Sequence, residues 1–282
     1  MEKVGPVATL LSSLLDFTRL DSDDGVSTFG TTIDPAFTIG PKVHGGTLQM
    51  VSARAAALAL ADAVPDVGDI HPLAVTSNYL SAPDPAGITL VTRVRKTGRT
   101  VSIVDVDVVQ GDRTMVTNSV VLGRLDSGDT HFSTRTGLHE LPPEPSADGL
   151  RVGDTPMADI MHLSAALDVV LDRESFAALR GEKADPVFLG WARPKDAEPD
   201  LDFTTLICDI SPPVVMNLGL FGWAPTVQLS TYLRRHPAPG WLRYQSSSTE
   251  VGRGMFEEDH LVIDSAGTVV AQSRQLALIP NG

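Results

Sequence analysis

Ser77-Asn78-Tyr79-Leu80 and Ser230-Thr231-Tyr232-Leu233 stand 153 residues apart and read as one pattern used twice. Neighbouring landmarks keep nearly the same spacing. Gly87 falls on Gly240 at 153, while Gly98-Arg99 falls on Gly252-Arg253 and Thr114 on Thr268 at 154. Turn glycines recur by chance in mixed domains, but a near-constant offset over four separate landmarks points to duplication. Each half reads as strand, helix and then four strands. In the first half the strand covers 25–33. The helix covers 47–63, with seven alanines and few β-branched residues. Strands follow over 73–80, 88–96, 101–109 and 115–122. In the third of these, Val104, Val106 and Val108 share a face, with Asp105 and Asp107 on the other. In the second half, 167–171 and 187–191 read as strands. A helix over 201–209 is stopped by Pro212-Pro213. Strands then cover 226–233, 241–249, 255–263 and 268–279. A short amphipathic helix is expected over 9–20. The expected division is residues 1–125, a Pro-rich linker over 126–158, and 159–282.

The chain has 282 residues, with 22 Lys and Arg against 35 Asp and Glu, a net charge of −13. Such a chain is repelled by phosphate backbones and anionic lipid, so neither nucleic acid nor a membrane is an expected partner. Its single cysteine, Cys208, excludes an intramolecular disulfide and a cysteine-cluster metal site. Met1-Glu2-Lys3-Val4-Gly5-Pro6 lacks the basic start and apolar run of a leader, and the expected setting is cytoplasmic.

There is no G-x-S-x-G elbow, phosphate-binding glycine loop or H-E-x-x-H pattern, and no histidine pair has metal-ligand spacing. More informative are polar residues on apolar faces. Gln275 shares a face with Val269, Ala271, Ser273 and Ala277. Asp209 ends an apolar helix, and Thr226 opens a strand after Ala224-Pro225. Pattern alone leaves each of the three nearer a structural part than a catalytic one. Gly45 and Gly46 either permit close helix–sheet packing or free backbone N–H groups, at Gly46 and Thr47, to polarise a bound carbonyl.

Several segments together resemble the acyl-CoA thioesterase II (TesB-like) family, which has a double-hotdog fold. They are Val43-His44-Gly45-Gly46, Ser77-Asn78-Tyr79-Leu80-Ser81-Ala82-Pro83, Gly98-Arg99-Thr100-Val101-Ser102, Asp209, Pro225-Thr226-Val227 and Val270-Ala271-Gln272-Ser273-Arg274-Gln275. The resemblance implies an α+β architecture of two tandem hotdog units, each a central helix wrapped by an antiparallel sheet. It implies hydrolysis of acyl-CoA to a free fatty acid and CoA, with no metal or other cofactor, and leaves a homo-oligomer open. The family's water-activating Asp/Thr/Gln trio falls on Asp209, Thr226 and Gln275. The family's enterobacterial members carry Asp-His after the Thr-Ile pair, whereas Gln228-Leu229 follows Thr226-Val227 here. Two other readings stand beside hydrolysis: a non-catalytic acyl-CoA or acyl-carrier binding protein, and a hotdog-fold hydratase. The hydratase would want an Asp/His dyad on one short segment, which neither central helix offers. The repeat offset places Ala56, Leu73 and Val121 opposite the trio, so one productive site is expected, in the second half.

Overall fold

The computed structural model describes residues 9–23, 25–65 and 67–280. The opening residues, read above as carrying no leader, lie outside them. In the first half the chain runs through α1 (Leu10–Leu14), β1 (Thr18–Asp23), β2 (Val26–Thr32), a clip of β3 (Thr38–Ile39) and β4 (Lys42–Val43), and α2 (Gly45–Ala63). Then come β5 (His71–Tyr79), β6 (Gly87–Lys96), β7 (Val101–Gln110) and β8 (Arg113–Gly123). After a connecting segment that holds β9 (Leu150–Arg151), the second half runs β10 (Leu167–Leu171), β11 (Val187–Pro194), α3 (Leu201–Ile207) and β12 (Thr226–Leu233). It ends with β13 (Leu242–Ser247), β14 (Met255–Ile263) and β15 (Val269–Leu278).

One antiparallel sheet takes the order β1-β2-β6-β7-β8-β5-β12-β15-β14-β13-β11-β10-β9. Read outward from the β5–β12 seam, the two halves repeat the same order, as duplication requires. This is the double hotdog, with α2 packed on β5, β6, β7 and β8 and α3 on β11, β12 and β15. A duplicated irregularity fixes the register. β5 carries a bulge between Pro72 and Ala74, and β12 carries one between Thr226 and Gln228. These match at 154, not at the 153 of the sequence alignment. Burial agrees: Ser77 faces the core with its partner Leu229, whereas Ser230 bonds Thr76 on the outer face. A slip of one residue turns every side chain to the other face. With the strands so paired, Thr226 corresponds to Pro72 rather than Leu73, and Gln275 to the buried Val120 rather than Val121.

Gln49 of α2 clamps the seam. Its Nε2 donates to Ser77 Oγ and to the Leu229 carbonyl, both at 3.0 Å, and its Oε1 accepts from Thr231 Oγ1 at 2.7 Å. A buried amide is tolerated because both ends are bonded.

Two helices also depart from the sequence reading. The helix expected over 9–20 closes after Leu14, and the chain becomes the exposed edge strand β1 on β2. The helix expected over 201–209 ends at Ile207, two turns against five in α2, because Ser211-Pro212-Pro213 cannot continue it. Among the described residues, no helix is long and apolar enough to cross a membrane.

Candidate active site

The amino end of α2 and the residues after α3 meet at the junction of the halves. His44 caps α2: its Nδ1 accepts from the Thr47 N–H at 3.2 Å. That bond assigns the remaining proton to Nε2, which donates to the Asp209 carbonyl at 2.8 Å. Ser273 Oγ donates to the Cys208 carbonyl at 2.6 Å, tying the same segment to β15. Asp209 is thus pinned between two elements, through its own carbonyl and through that of the residue before it.

The glycines let α3 come this close. A Cβ on Gly46 would lie 2.2 Å from the Leu206 carbonyl oxygen, and one on Gly45 would lie 2.6 Å from Asp209 Oδ2. In that space the Gly46 N–H donates to Asp209 Oδ2 at 2.8 Å. The positive end of the α2 dipole meets the carboxylate there, offsetting its awkward place beyond the carbonyl end of α3. Tyr79 closes one side, its hydroxyl donating to the Gly45 carbonyl at 2.9 Å. Both N–H groups expected to polarise a carbonyl are therefore engaged, Gly46 by Asp209 and Thr47 by His44.

Burial pushes the Asp209 carboxyl above the ordinary carboxylate range; His44 and the Gly46 N–H oppose the shift. A carboxylate of raised basicity suits a general base near neutral pH. Its Oδ2 is anchored by the Gly46 N–H, which leaves Oδ1 to receive a proton.

Thr226 and Gln275 do come together. The Thr226 hydroxyl donates to Gln275 Oε1 at 2.6 Å, which fixes the amide. No hydrogen bond joins either residue to Asp209. Their link is through β15, where Ser273, two positions before Gln275 on the same face, holds Cys208. Such a step spans about 7 Å. Cys208 itself is fully buried, and burial raises its thiol pKa, which leaves it core packing.

Three residues join the site that the sequence reading did not assign to it: His44, Tyr79 and Glu258. Glu258 of β14 is directly opposite Gln275 of β15 and fully buried. Its signal was legible, since Phe256, Glu258, His260 and Val262 share one face of a strand. His44 and Tyr79 carry no such signal; only the fold brings Asp209 to them.

Among the described residues, no three His, Cys, Asp or Glu side chains gather as a metal site requires. A cleft of about 520 Å³ beside Arg151, His162 and Lys195, and one of about 300 Å³ beside Arg93 and Asp107 on the sheet, contain none of the trio. Volume does not mark the chemistry here. The buried carboxylate at a helix start does, because its environment alters its basicity.

Two family models match the chain: the acyl-CoA thioesterase N-terminal domain over residues 33–123 and the C-terminal domain over 138–279. An uncharacterized protein of Mycobacterium tuberculosis is 38% identical over 290 residues, covering 96% of this chain and 98% of that protein. A structure from Thermobifida fusca, assigned as a thioesterase II, superposes with a TM-score of 0.79 at 28% identity, covering 98% of this chain and 100% of that one. A hot dog fold protein from Alicyclobacillus acidocaldarius superposes with a TM-score of 0.76 at 21% identity over 98% of this chain and 100% of its own, a likeness of fold.

Proposed function

The chain belongs to the acyl-CoA thioesterase family, and on that premise we propose that it hydrolyses acyl-CoA to a free fatty acid and CoA through a water activated by Asp209, in a cytoplasmic setting. The observation that carries this reading is the split role of the Asp209 carboxylate, with Oδ2 fixed at the start of α2 and Oδ1 free.

Water held by Asp209 Oδ1, Thr226 and Gln275 gives its proton to Asp209 as its oxygen adds to the thioester carbon. Thr226 keeps lone pairs for that water, because its own proton is committed to Gln275. As Asp209 becomes protonated, its grip on the Gly46 N–H weakens, because a charged acceptor binds about twice as strongly as a neutral one. That N–H is freed as the thioester oxygen becomes negative, and the α2 dipole serves the oxyanion in turn. Collapse of the tetrahedral intermediate breaks the C–S bond, and the proton held by Asp209 passes to the departing thiolate, which releases CoA and restores the carboxylate.

Thiol release from a panel of acyl-CoAs of graded chain length tests the reading. Turnover on at least one member is expected; binding without turnover would favour an acyl-CoA or acyl-carrier binding protein. The His44–Asp209 contact at 3.5 Å resembles the dyad a hydratase would need, although two separate elements supply it. Both His44 nitrogens are committed, to the Thr47 N–H and the Asp209 carbonyl, so neither is free to move a substrate proton. Enoyl-CoA in the same panel should yield no hydroxyacyl product.

One productive site per chain is also expected. In the first half, Pro72 and Val120 stand where Thr226 and Gln275 stand in the second, and neither can hold a nucleophile. Titration with a slow, tight acyl-CoA analogue should reach full inhibition at about one equivalent per chain, as a single polar site per chain requires. Half the activity surviving loss of Asp209 would reveal a second working site.

A further inference from the structure

The concave face of β13, β14 and β15 buries five polar atoms that have no protein partner among the described residues. They are Tyr244 Oη, Ser246 Oγ, Glu258 Oε1 and both ring nitrogens of His260. Ser246 is paired with His260, and Glu258 with Gln275. Native proteins leave few such atoms unpaired, so a group of them beside Gln275 calls for a role.

Glu258 is the most demanding member. The Val214 N–H donates to its Oε2 at 3.1 Å. Its Oε1 lies 3.6 Å from His260 Nε2, beyond hydrogen-bond range. The groups that face it are Asp209 from the end of α3, Tyr244 from β13, His260 on its own strand, Gln275 from β15 and the Val214 N–H. Among the described residues, neither Lys nor Arg pairs with it. His260 is uncharged at neutral pH, since burial drives its pKa down to about 3. The Val214 N–H and the Gln275 amide are neutral donors, too little to sustain a buried carboxylate beside a second carboxyl. Asp209 differs, with a helix start, an N–H and His44 around it. Two carboxyls whose surroundings push them apart take different protonation states.

We propose that Glu258 is a positioning residue of this site, an uncharged acid that packs against Gln275 and leaves Asp209 as the only negative charge facing the thioester. The proposal rests on the Asp209 thioesterase reading. Ionising Glu258 adds a negative charge close to the forming oxyanion and disturbs Gln275, so turnover falls. Burial, aided by Asp209 and opposed by the Val214 N–H and the Gln275 amide, pushes its pKa up to about 8. The acid is therefore intact below that pH and lost as pH rises through it.

The test compares pH profiles of kcat for the wild type and Glu258→Gln, which is neutral at every pH and keeps an oxygen for Val214. The wild type should fall on passing from pH about 7 to about 9, roughly tenfold per unit above the pKa if the ionised form is inactive. The ratio of the two rates should approach one in Glu258→Gln. An equal alkaline fall in both proteins would overturn the proposal. A second measurement needs no turnover. At neutral pH the infrared spectrum of the wild type should show the C=O stretch of a buried protonated carboxylic acid, lost on titration through about pH 8 and missing from Glu258→Gln. No such band in the wild type, or the same band in the variant, would overturn the proposal even if the chain hydrolyses acyl-CoA. The band without any thiol release would instead count against the thioesterase reading.

Discussion

Asp209→Asn should lose about 10²–10⁴-fold in turnover, the usual worth of a positioned general base. The change is nearly isosteric, and the asparagine oxygen can still accept the Gly46 N–H, so the junction of α2 and α3 survives. The variant cannot take a proton from water, which is why the loss falls on kcat rather than on KM. Stability should move the other way. The folded pKa of Asp209 is raised by burial, so its ionised form weighs against folding at neutral pH, increasingly as pH rises above the unfolded value. A neutral amide removes that cost, and the variant should unfold no more easily than the wild type. In the wild type, turnover should rise with pH through the raised Asp209 pKa, and the variant should lose that acid limb. A folded Asp209→Asn protein with wild-type turnover would remove Asp209 from the chemistry.

Gly46→Ala tests the junction itself and should damage both stability and turnover. Alanine in a helix is favoured over glycine by about 1 kcal/mol. Against that stands a Cβ placed 2.2 Å from the Leu206 carbonyl oxygen and 3.0 Å from Asp209 Cβ. The first contact is with backbone, so no side chain can rotate away; α3 must move. Overpacking costs about 1–3 kcal/mol, occasionally more, and a backbone clash belongs at the upper end, so the clash outweighs the propensity gain. A shift of about 1 Å in Asp209 is enough to cost about 10²-fold in rate. Chemical denaturation and thiol release measure the two effects. Unchanged stability and turnover would mean that α3 does not seat against the start of α2.

Much of this architecture is legible in the sequence because strands announce themselves by period-two alternation and the chain repeats itself. The limit was register. Ser77 and Ser230 look alike in sequence, yet the paired bulges put them on opposite faces, and no spacing argument sees a bulge. The helix expected over 9–20 ends early, at Leu14, for a related reason: apolar periodicity from Leu10 to Phe17 does not show that the chain will leave the helix to pair with β2. At the site, Gln275 was recognisable as an amide on an apolar face, and Glu258 and His260 carry the same signal on β14. The Asp209–His44 contact joins residues 165 positions apart and was readable only after folding. The engagement of the Gly46 N–H by Asp209 was likewise invisible, because it depends on how closely two helices approach.

The central claim is that Asp209 activates water and does not attack the thioester itself. A single turnover of acyl-CoA in heavy-oxygen water, with mass spectrometry of the released acid and of the peptide carrying Asp209, tests this most directly. The account predicts heavy oxygen in the fatty acid and none in Asp209. Heavy oxygen in Asp209 would show an acyl-enzyme formed on its carboxylate and would contradict the account.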